Sequence, residues 1–171
     1  MFLFNTGSCS ITKDMFADLI RQYESNMYGL AMTILKNPDD SSDAVQNAVL
    51  IAYEQLDTLR NPDRFKSWIL QILVNECRKM LRSKKNLTDD EGLEAVTAAP
   101  EDGITPETKI ALNECVSSLD EPYRTVIRLF YYEEMSIKEI SRITGNSSAA
   151  VRKQLQRGRE MLKKQLKEED E

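Results

Sequence analysis

The sequence predicts an all-α fold of two small helical domains joined by a flexible acidic linker. Three observations lead there. Six glycines and five prolines in 171 residues leave long unbroken runs of helix formers. Apolar residues recur through those runs at steps of three and four, the period of an amphipathic helix. Residues 86–105 break the period: they hold Gly92, Pro100 and Gly103, and Asp89, Asp90, Glu91, Glu94, Glu101 and Asp102 with no Lys or Arg. The chain then divides into a leader (1–12), a first domain (13–85), the linker (86–105), a second domain (106–167) and an acidic tail (168–171).

In the first domain, Thr12 suits the N-cap of a helix from Lys13 to about Lys36. Phe16, Leu19, Ile20, Tyr23, Met27, Leu30, Ala31, Ile34 and Leu35 form its apolar stripe, and Asn37-Pro38-Asp39-Asp40 breaks it. A second helix is expected from Ser41 or Ser42 to about Asp57, with Ala44, Val45, Ala48, Ile51, Ala52 and Leu56 facing in. Asp43, Gln46, Asn47, Leu50 and Glu54 occupy its other side. Leu50 among those polar residues marks either a partner surface or an exposed leucine of no consequence. Asn61 and Pro62 suit the cap and first position of a third helix running to about Ser83. Phe65, Trp68, Ile69, Ile72, Leu73, Cys77 and Met80 form its core face. Gln71, Asn75, Arg78 and Arg82, spaced by four, three and four, share another face of amides and guanidinium groups. Such groups suit phosphates and base edges. Trp68 can stack on a base or pack in the core, and the apolar stripe it belongs to favours the core.

The second domain restarts at Thr105-Pro106-Glu107, with Ile110, Leu112, Val116 and Leu119 as apolar positions. After Asp120-Glu121-Pro122, the expected buried stripe is Tyr123, Val126, Ile127, Phe130 and Tyr131, with Arg124, Thr125 and Arg128 outside. Ser136 caps a short helix carrying Ile137, Ile140 and Ile143. In Thr144-Gly145-Asn146, Gly145 suits the left-handed residue that ends that helix and Asn146 the N-cap of the next. The last helix lines up Val151, Leu155, Gly158, Leu162 and Leu166 against an opposite surface of Arg152, Lys153, Gln156, Arg157, Lys163, Lys164 and Lys167. Two helices across a three-residue turn, the second basic near its start, form the helix-turn-helix pattern that enters the DNA major groove. An ordinary helical hairpin with a solvated face has the same spacing.

A net charge of −5 conceals segregation: Arg78, Lys79, Arg82, Lys84 and Lys85 make one basic cluster, the last helix another, and the linker and tail are acidic. The chain has no His, and Cys9, Cys77 and Cys115 are far apart, so neither a Cys/His metal site nor a structural disulfide is expected. Three unpaired cysteines fit a reducing cytoplasm. No Gly-rich phosphate loop, nucleophile elbow or clustered carboxylates are present, which argues against catalysis, and no cofactor is implied. No run of eighteen apolar residues suggests a membrane span. The segment MFLFNTGSCS lacks a basic start and a long apolar centre, so it reads as a leader or a piece packing on the first helix rather than a signal peptide.

These pieces together resemble a bacterial RNA polymerase sigma factor of the sigma-70 family, in the small extracytoplasmic-function group that keeps only regions 2 and 4. In the first domain the resemblance rests on Asp43-Ala44-Val45-Gln46, the run Ala48–Tyr53, Phe65-Lys66-Ser67-Trp68-Ile69 and Val74-Asn75. In the second it rests on Ser118–Arg124, Ser136–Ser141, and Val151-Arg152 through Leu155, Arg157 and Arg159. It implies a non-enzymatic cytoplasmic factor, of the kind used in stress responses, that binds core RNA polymerase and directs it to promoters. Asp43, Gln46, Asn47, Leu50 and Glu54 would face the polymerase β′ clamp helices, and region 4 the β flap. Gln55, Leu59, Arg60, Gln71 and Asn75 would capture the −10 element as a single strand, with Arg78 and Arg82 on its phosphates. Arg152, Lys153, Gln156 and Arg157 would read the −35 duplex. The resemblance also implies an anti-sigma partner, commonly membrane-anchored. The sequence departs from the family pattern at Ala149-Ala150 (usually Gly-Thr), Gln154 (usually basic), Gly158 (usually Ala between two arginines) and Asn47 (usually an acid). A helix-turn-helix regulator acting without polymerase is the alternative, and a pure protein-interaction module a third reading. A plain regulator needs neither the Asp43–Glu54 surface nor the Gln71–Arg82 face, and a protein-interaction module would stay functional with Arg152 and Arg157 substituted.

Overall fold

The computed structural model describes residues 11–85 and 114–168, and among them there is no β-strand. The leader, the linker and the helix start at Thr105-Pro106-Glu107 lie outside the described residues. Helix α1 (Lys13–Leu35) opens on Thr12, whose hydroxyl accepts from the Met15 N–H at 3.3 Å. It closes on Lys36, in the left-handed region at φ 53°, whose N–H donates to the Met32 carbonyl. Helix α2 (Pro38–Glu54) begins earlier than its apolar period indicates, because Asn37 accepts from the Asp40 N–H at 2.9 Å and Pro38 fits the first helical position. It also ends earlier, and the chain tightens into 3₁₀ turns at Leu56–Thr58 and Pro62–Arg64. Asn61 caps the second turn, and helix α3 (Phe65–Lys85) continues from it.

Ala44, Ala48 and Ala52 are spaced by four along α2 and wholly buried, so this helix presents a smooth strip to its neighbours. The larger partners are Phe16, Met27 and Leu30 from α1, and Phe65, Ile69, Leu70, Leu73, Val74 and Cys77 from α3. Trp68 is half-buried and packs on Phe65 at 5.8 Å between ring centroids, the core role that the apolar stripe favours. Burial pushes the Cys77 thiol up to about 12, so it is a small core residue and not a nucleophile.

In the second domain, residues 114–118 are helical, followed by α4 (Tyr123–Tyr131), α5 (Ile137–Thr144) and α6 (Ser148–Glu168). One expectation fails here. Arg124, Thr125 and Arg128 are buried, whereas Tyr131 is 52% exposed. The reason is that α4 is flanked by α5 and α6 on one side and by α1 of the first domain on the other. Arg124 is accommodated by the carbonyls of Ser117 and Leu119 and by Glu121, and the Thr125 hydroxyl donates to that same carboxylate at 2.9 Å. The two domains are packed together: α1 lies on α4, and α3 lies on α5.

Candidate nucleic-acid interface

The helix-turn-helix is set by its caps. The Ser136 hydroxyl accepts from the Glu139 N–H, and the Glu139 carboxylate accepts from the Ser136 N–H at 2.9 Å, a reciprocal capping box. The hydrogen bonds from Ser136 hold the Glu139 carboxyl below the usual carboxylate value. Gly145 takes φ 72° at the end of α5, as the sequence suggests. The N-cap of α6 is one residue later than expected. Ser147, not Asn146, accepts from the Ala150 N–H at 3.1 Å. Asn146 braces the turn instead: its carbonyl accepts from the Ser141 hydroxyl at 2.6 Å and its amide reaches Gln154. Gln154 therefore has a structural task where the family pattern has a basic residue.

On α6, Val151, Leu155 and Gly158 face the core, while Arg152, Lys153, Gln156 and Arg157 are all exposed. A Cβ at Gly158 would lie 2.9 Å from Ile127 Cγ1, which accounts for glycine where the pattern has alanine. Four polar or basic side chains are thus exposed on the second and third turns of a basic helix, near the end from which base edges are read, with Gln156 donating to Glu160 at 3.1 Å. On α2, Asp43, Gln46, Asn47, Leu50 and Glu54 are likewise all exposed, Leu50 at 63%. Tyr53 extends this apolar point at 44% exposure, held by an edge contact with Phe16 and by Lys13 over its ring. The sequence reading passes over Tyr53, although its place three residues after Leu50 puts it beside that face.

The third set is divided. Gln55, Arg60, Asn75 and Arg82 are exposed. Leu59 is a correction: at 8% exposure it belongs to the core and supports the surface from beneath. Gln71 is half-buried at the edge of a cavity of about 420 Å³, whose first-domain wall includes Arg60, Arg64 and Trp68 and whose second-domain wall is Glu139, Arg142 and Ile143 of α5. Arg78 Nη1 donates to the Thr144 carbonyl at the end of α5, at 2.7 Å.

Beside this covered face lies a cluster that the sequence gives no sign of. The Glu133 side chain is fully buried. Its carboxylate accepts from Asn26 Nδ2 at 2.7 Å and pairs with Lys66 Nζ at 3.3 Å and Arg128 Nε at 3.6 Å. Lys66 also donates to the Glu133 carbonyl at 2.9 Å. The Arg128 guanidinium lies over the Tyr132 ring and against Gly29, where a Cβ would come within 2.3 Å of Nη2. Burial pulls the Arg128 pKa down, and Glu133 opposes that shift.

Comparison with known proteins now bears on these faces. The family model for sigma-70 region 2 matches residues 19–87, and that for sigma-70 region 4 matches residues 109–162. The Bacillus subtilis RNA polymerase sigma factor SigV is 33% identical over 93% of this chain and 95% of its own length. This chain belongs to the sigma-70 family, in its extracytoplasmic-function group. The sigma factor SigW of the same organism, itself described as an extracytoplasmic-function factor, is 30% identical over 91% of each chain. Among solved structures, the sigma factor RpoE in complex with the anti-sigma factor NepR, from Bartonella quintana, superposes with a TM-score of 0.77. That match is 21% identical and covers 91% of this chain and 98% of the other, so the fold is shared across both domains. As a sigma factor, the chain directs core RNA polymerase to promoters, with region 4 serving the −35 duplex and region 2 the −10 element. The regulator acting without polymerase is not favoured.

Proposed function

We propose that three faces divide the work of this sigma factor. Arg152, Lys153, Gln156 and Arg157 on α6 read the −35 duplex. Asp43, Gln46, Asn47, Leu50 and Glu54 on α2, joined by Tyr53, dock on the β′ clamp helices, while the second domain meets the β flap. Gln55, Arg60, Gln71 and Asn75 take the −10 strand, with Arg78 and Arg82 on its phosphates and Leu59 as the floor. The observation that carries this reading is exposure in register: every residue of the first two sets is exposed on one side of its helix.

The factor supplies recognition and not chemistry. A base drawn out of the −10 duplex loses stacking worth about a few kcal/mol, which contacts to its edge offset. The protein works in the cytoplasm beside the polymerase, and among the described residues no helix is long and apolar enough to cross a membrane. An anti-sigma partner is part of the proposal. Of two solved structures with this fold, one is the sigma factor RpoE in complex with the anti-sigma factor NepR, and the other is CnrH in complex with the cytosolic domain of CnrY. The deciding experiment is run-off transcription with purified core polymerase on a promoter library. Discrete start sites that vanish without this protein support the proposal. A library transcribed identically with and without it would remove it.

A further inference from the structure

We propose that Arg159, outside the residues assigned to base reading, is a phosphate contact at the rim of the duplex groove, and that Tyr131 of α4 is the residue that positions it. The inference rests on the reading that α6 enters the major groove from its N-terminal half.

The first observation is the corner that Tyr131 makes. Its place in an apolar stripe predicts burial, yet it is 52% exposed. What it does at the surface is hold Arg159. Arg159 Nε donates to the Tyr131 hydroxyl at 2.7 Å. The guanidinium carbon lies 5.6 Å from the centroid of the Tyr131 ring and 5.4 Å from that of Phe130. Those two rings meet edge to face at 5.0 Å, and Phe130 packs on the core, so the corner is a fixed support.

The second observation is what this leaves of the arginine. With Nε engaged and its plane against the rings, both terminal nitrogens remain as a fork of the kind that takes phosphate oxygens. Arg159 is exposed, and among the described residues no carboxylate pairs with it. A loose arginine gives up rotamer freedom when it binds, and one already set on two rings has less to lose. The guanidinium also covers the ring faces and presents charge to solvent, so the corner suits an anionic backbone better than an apolar protein surface.

The third observation is register. Arg152, Gln156 and Arg159 follow one another at steps of four and three, so they share one stripe of α6. Glu160, the acid next round the helix, accepts from Gln156 at 3.1 Å. Arg159 lies two turns beyond Arg152, about 10 Å along the axis. The major groove is about 12 Å wide and about 8.5 Å deep. With Arg152 at the base edges, Arg159 therefore stands at the level of the phosphates that border the groove. A contact there fixes the helix on the duplex and carries no sequence information.

The test measures binding of the full chain to a fluorescein-labelled duplex of mixed sequence between about 50 and 200 mM salt. Arg159→Ala is expected to weaken binding by about fivefold to tenfold and to lower the slope of log affinity against log salt by about 1. Arg159→Lys keeps the charge and is expected to retain the slope. Tyr131→Phe keeps the ring and removes only the hydroxyl. It is expected to weaken binding by about twofold to fourfold, and to do nothing further once Arg159 is replaced by alanine. An unchanged slope in Arg159→Ala would overturn the phosphate contact. A Tyr131→Phe effect of the same size with and without Arg159 would overturn the positioning role. Loss of affinity for core polymerase with duplex binding intact would make the corner a protein-docking point and end the proposal. If Arg159→Ala is poorly folded by circular dichroism, Arg159→Gln carries the same slope measurement, because it keeps a stem against the rings. The premise is judged separately by Arg152→Ala with Arg157→Ala. If that pair leaves sequence preference untouched while Arg159→Ala still lowers the slope, base reading by α6 falls and the phosphate contact stands. The reverse result keeps base reading and removes this inference.

Discussion

On α6, Arg152, Lys153, Gln156 and Arg157 all stand exposed, whereas on α3 Gln71 is half-buried beside α5 and Arg78 bonds to the last residue of that helix. The two faces use the same chemistry, amides and guanidinium groups at helical spacing. They differ in what lies over them. A polar helix face suits a nucleic-acid backbone, and it suits the carbonyls at another helix's C-terminus equally well. The face proposed to read the duplex is open in this structure and the face proposed to capture the strand is partly occupied. The residues proposed for the duplex on α6 are clear of the other domain, while those proposed for the strand on α3 share their surface with α5.

The sharpest way to break the comparison is on the open face. Arg152→Ala with Arg157→Ala removes two candidate base contacts worth about 1–3 kcal/mol each, so initiation from a −35-dependent promoter is expected to fall by about two orders of magnitude. Run-off transcription measures this, with affinity for core polymerase unchanged. An equal fall on a promoter without a −35 element would turn the two arginines from base readers into general phosphate contacts, and the salt dependence of binding would then drop by the corresponding counterions. The covered face answers to Asn75→Ala. Asn75 is exposed beside the α5 contact, and its loss is expected to weaken −10 use about tenfold, near the middle of the range for one good base contact. Measured on fork-junction DNA, a matching loss of core affinity would reassign that face to the polymerase.

What could be read in advance follows from the range of each interaction. Thr12, Ser136 and Gly145 act within one turn of themselves, so residue type and spacing announce them. The α2 and α6 faces are also local, because an exposed face needs only that nothing covers it. Arg128 defeats the same logic. Its place on the polar side of α4 predicts exposure, yet α1, a hundred residues earlier, covers it. Glu133 sits in a short link that reads as loop, and its bond from Asn26 spans 107 residues. Nothing in the pattern at positions 132–134 distinguishes the buried Glu133 from the exposed Glu134. Ser147 took the cap from Asn146 for a subtler reason. Both are good caps, and the brace from Asn146 to Gln154 decided between them.

Helix α5 serves both faces, as the scaffold under α6 and as the cover on α3, so weakening its start should act on both. Ser136→Ala removes one side of the capping box and is expected to cost about 1 kcal/mol. For a domain of this size that is about 4–8 °C in Tm. The effect should depend on pH. The folded Glu139 carboxyl titrates below its ordinary value of 4.5, chiefly because Ser136 donates to it. A depressed carboxylate contributes stability that is fully present above its unfolded pKa and disappears as pH falls through the folded one. The gap between wild type and Ser136→Ala is therefore expected to be full at pH 7 and to narrow below about 4.5. Thermal melts across that range would show it, and a gap independent of pH would mean that the hydroxyl cap acts without the carboxylate.

The smallest effect belongs to Gly158, beneath the open face. Alanine is favoured over glycine in a helix interior by about 1 kcal/mol. Here its Cβ would stand 2.9 Å from Ile127 Cγ1 and 3.2 Å from Cδ1, in a core where Ile127 is 1% exposed. Relieving such an overlap costs about 1–3 kcal/mol. The two terms nearly cancel, with the clash ahead, so Gly158→Ala is expected to lose no more than about 1 kcal/mol in chemical denaturation. Its effect on DNA should exceed its effect on stability, because a shift of α6 away from α4 carries Arg157 with it. A second substitution, Ile127→Val, removes the atom at 3.2 Å but keeps Cγ1 at 2.9 Å, so it should restore stability and −35 binding to the Gly158→Ala protein only in part. If stability recovers and −35 binding does not, glycine at this position matters to α6 for a reason other than the approach of α4.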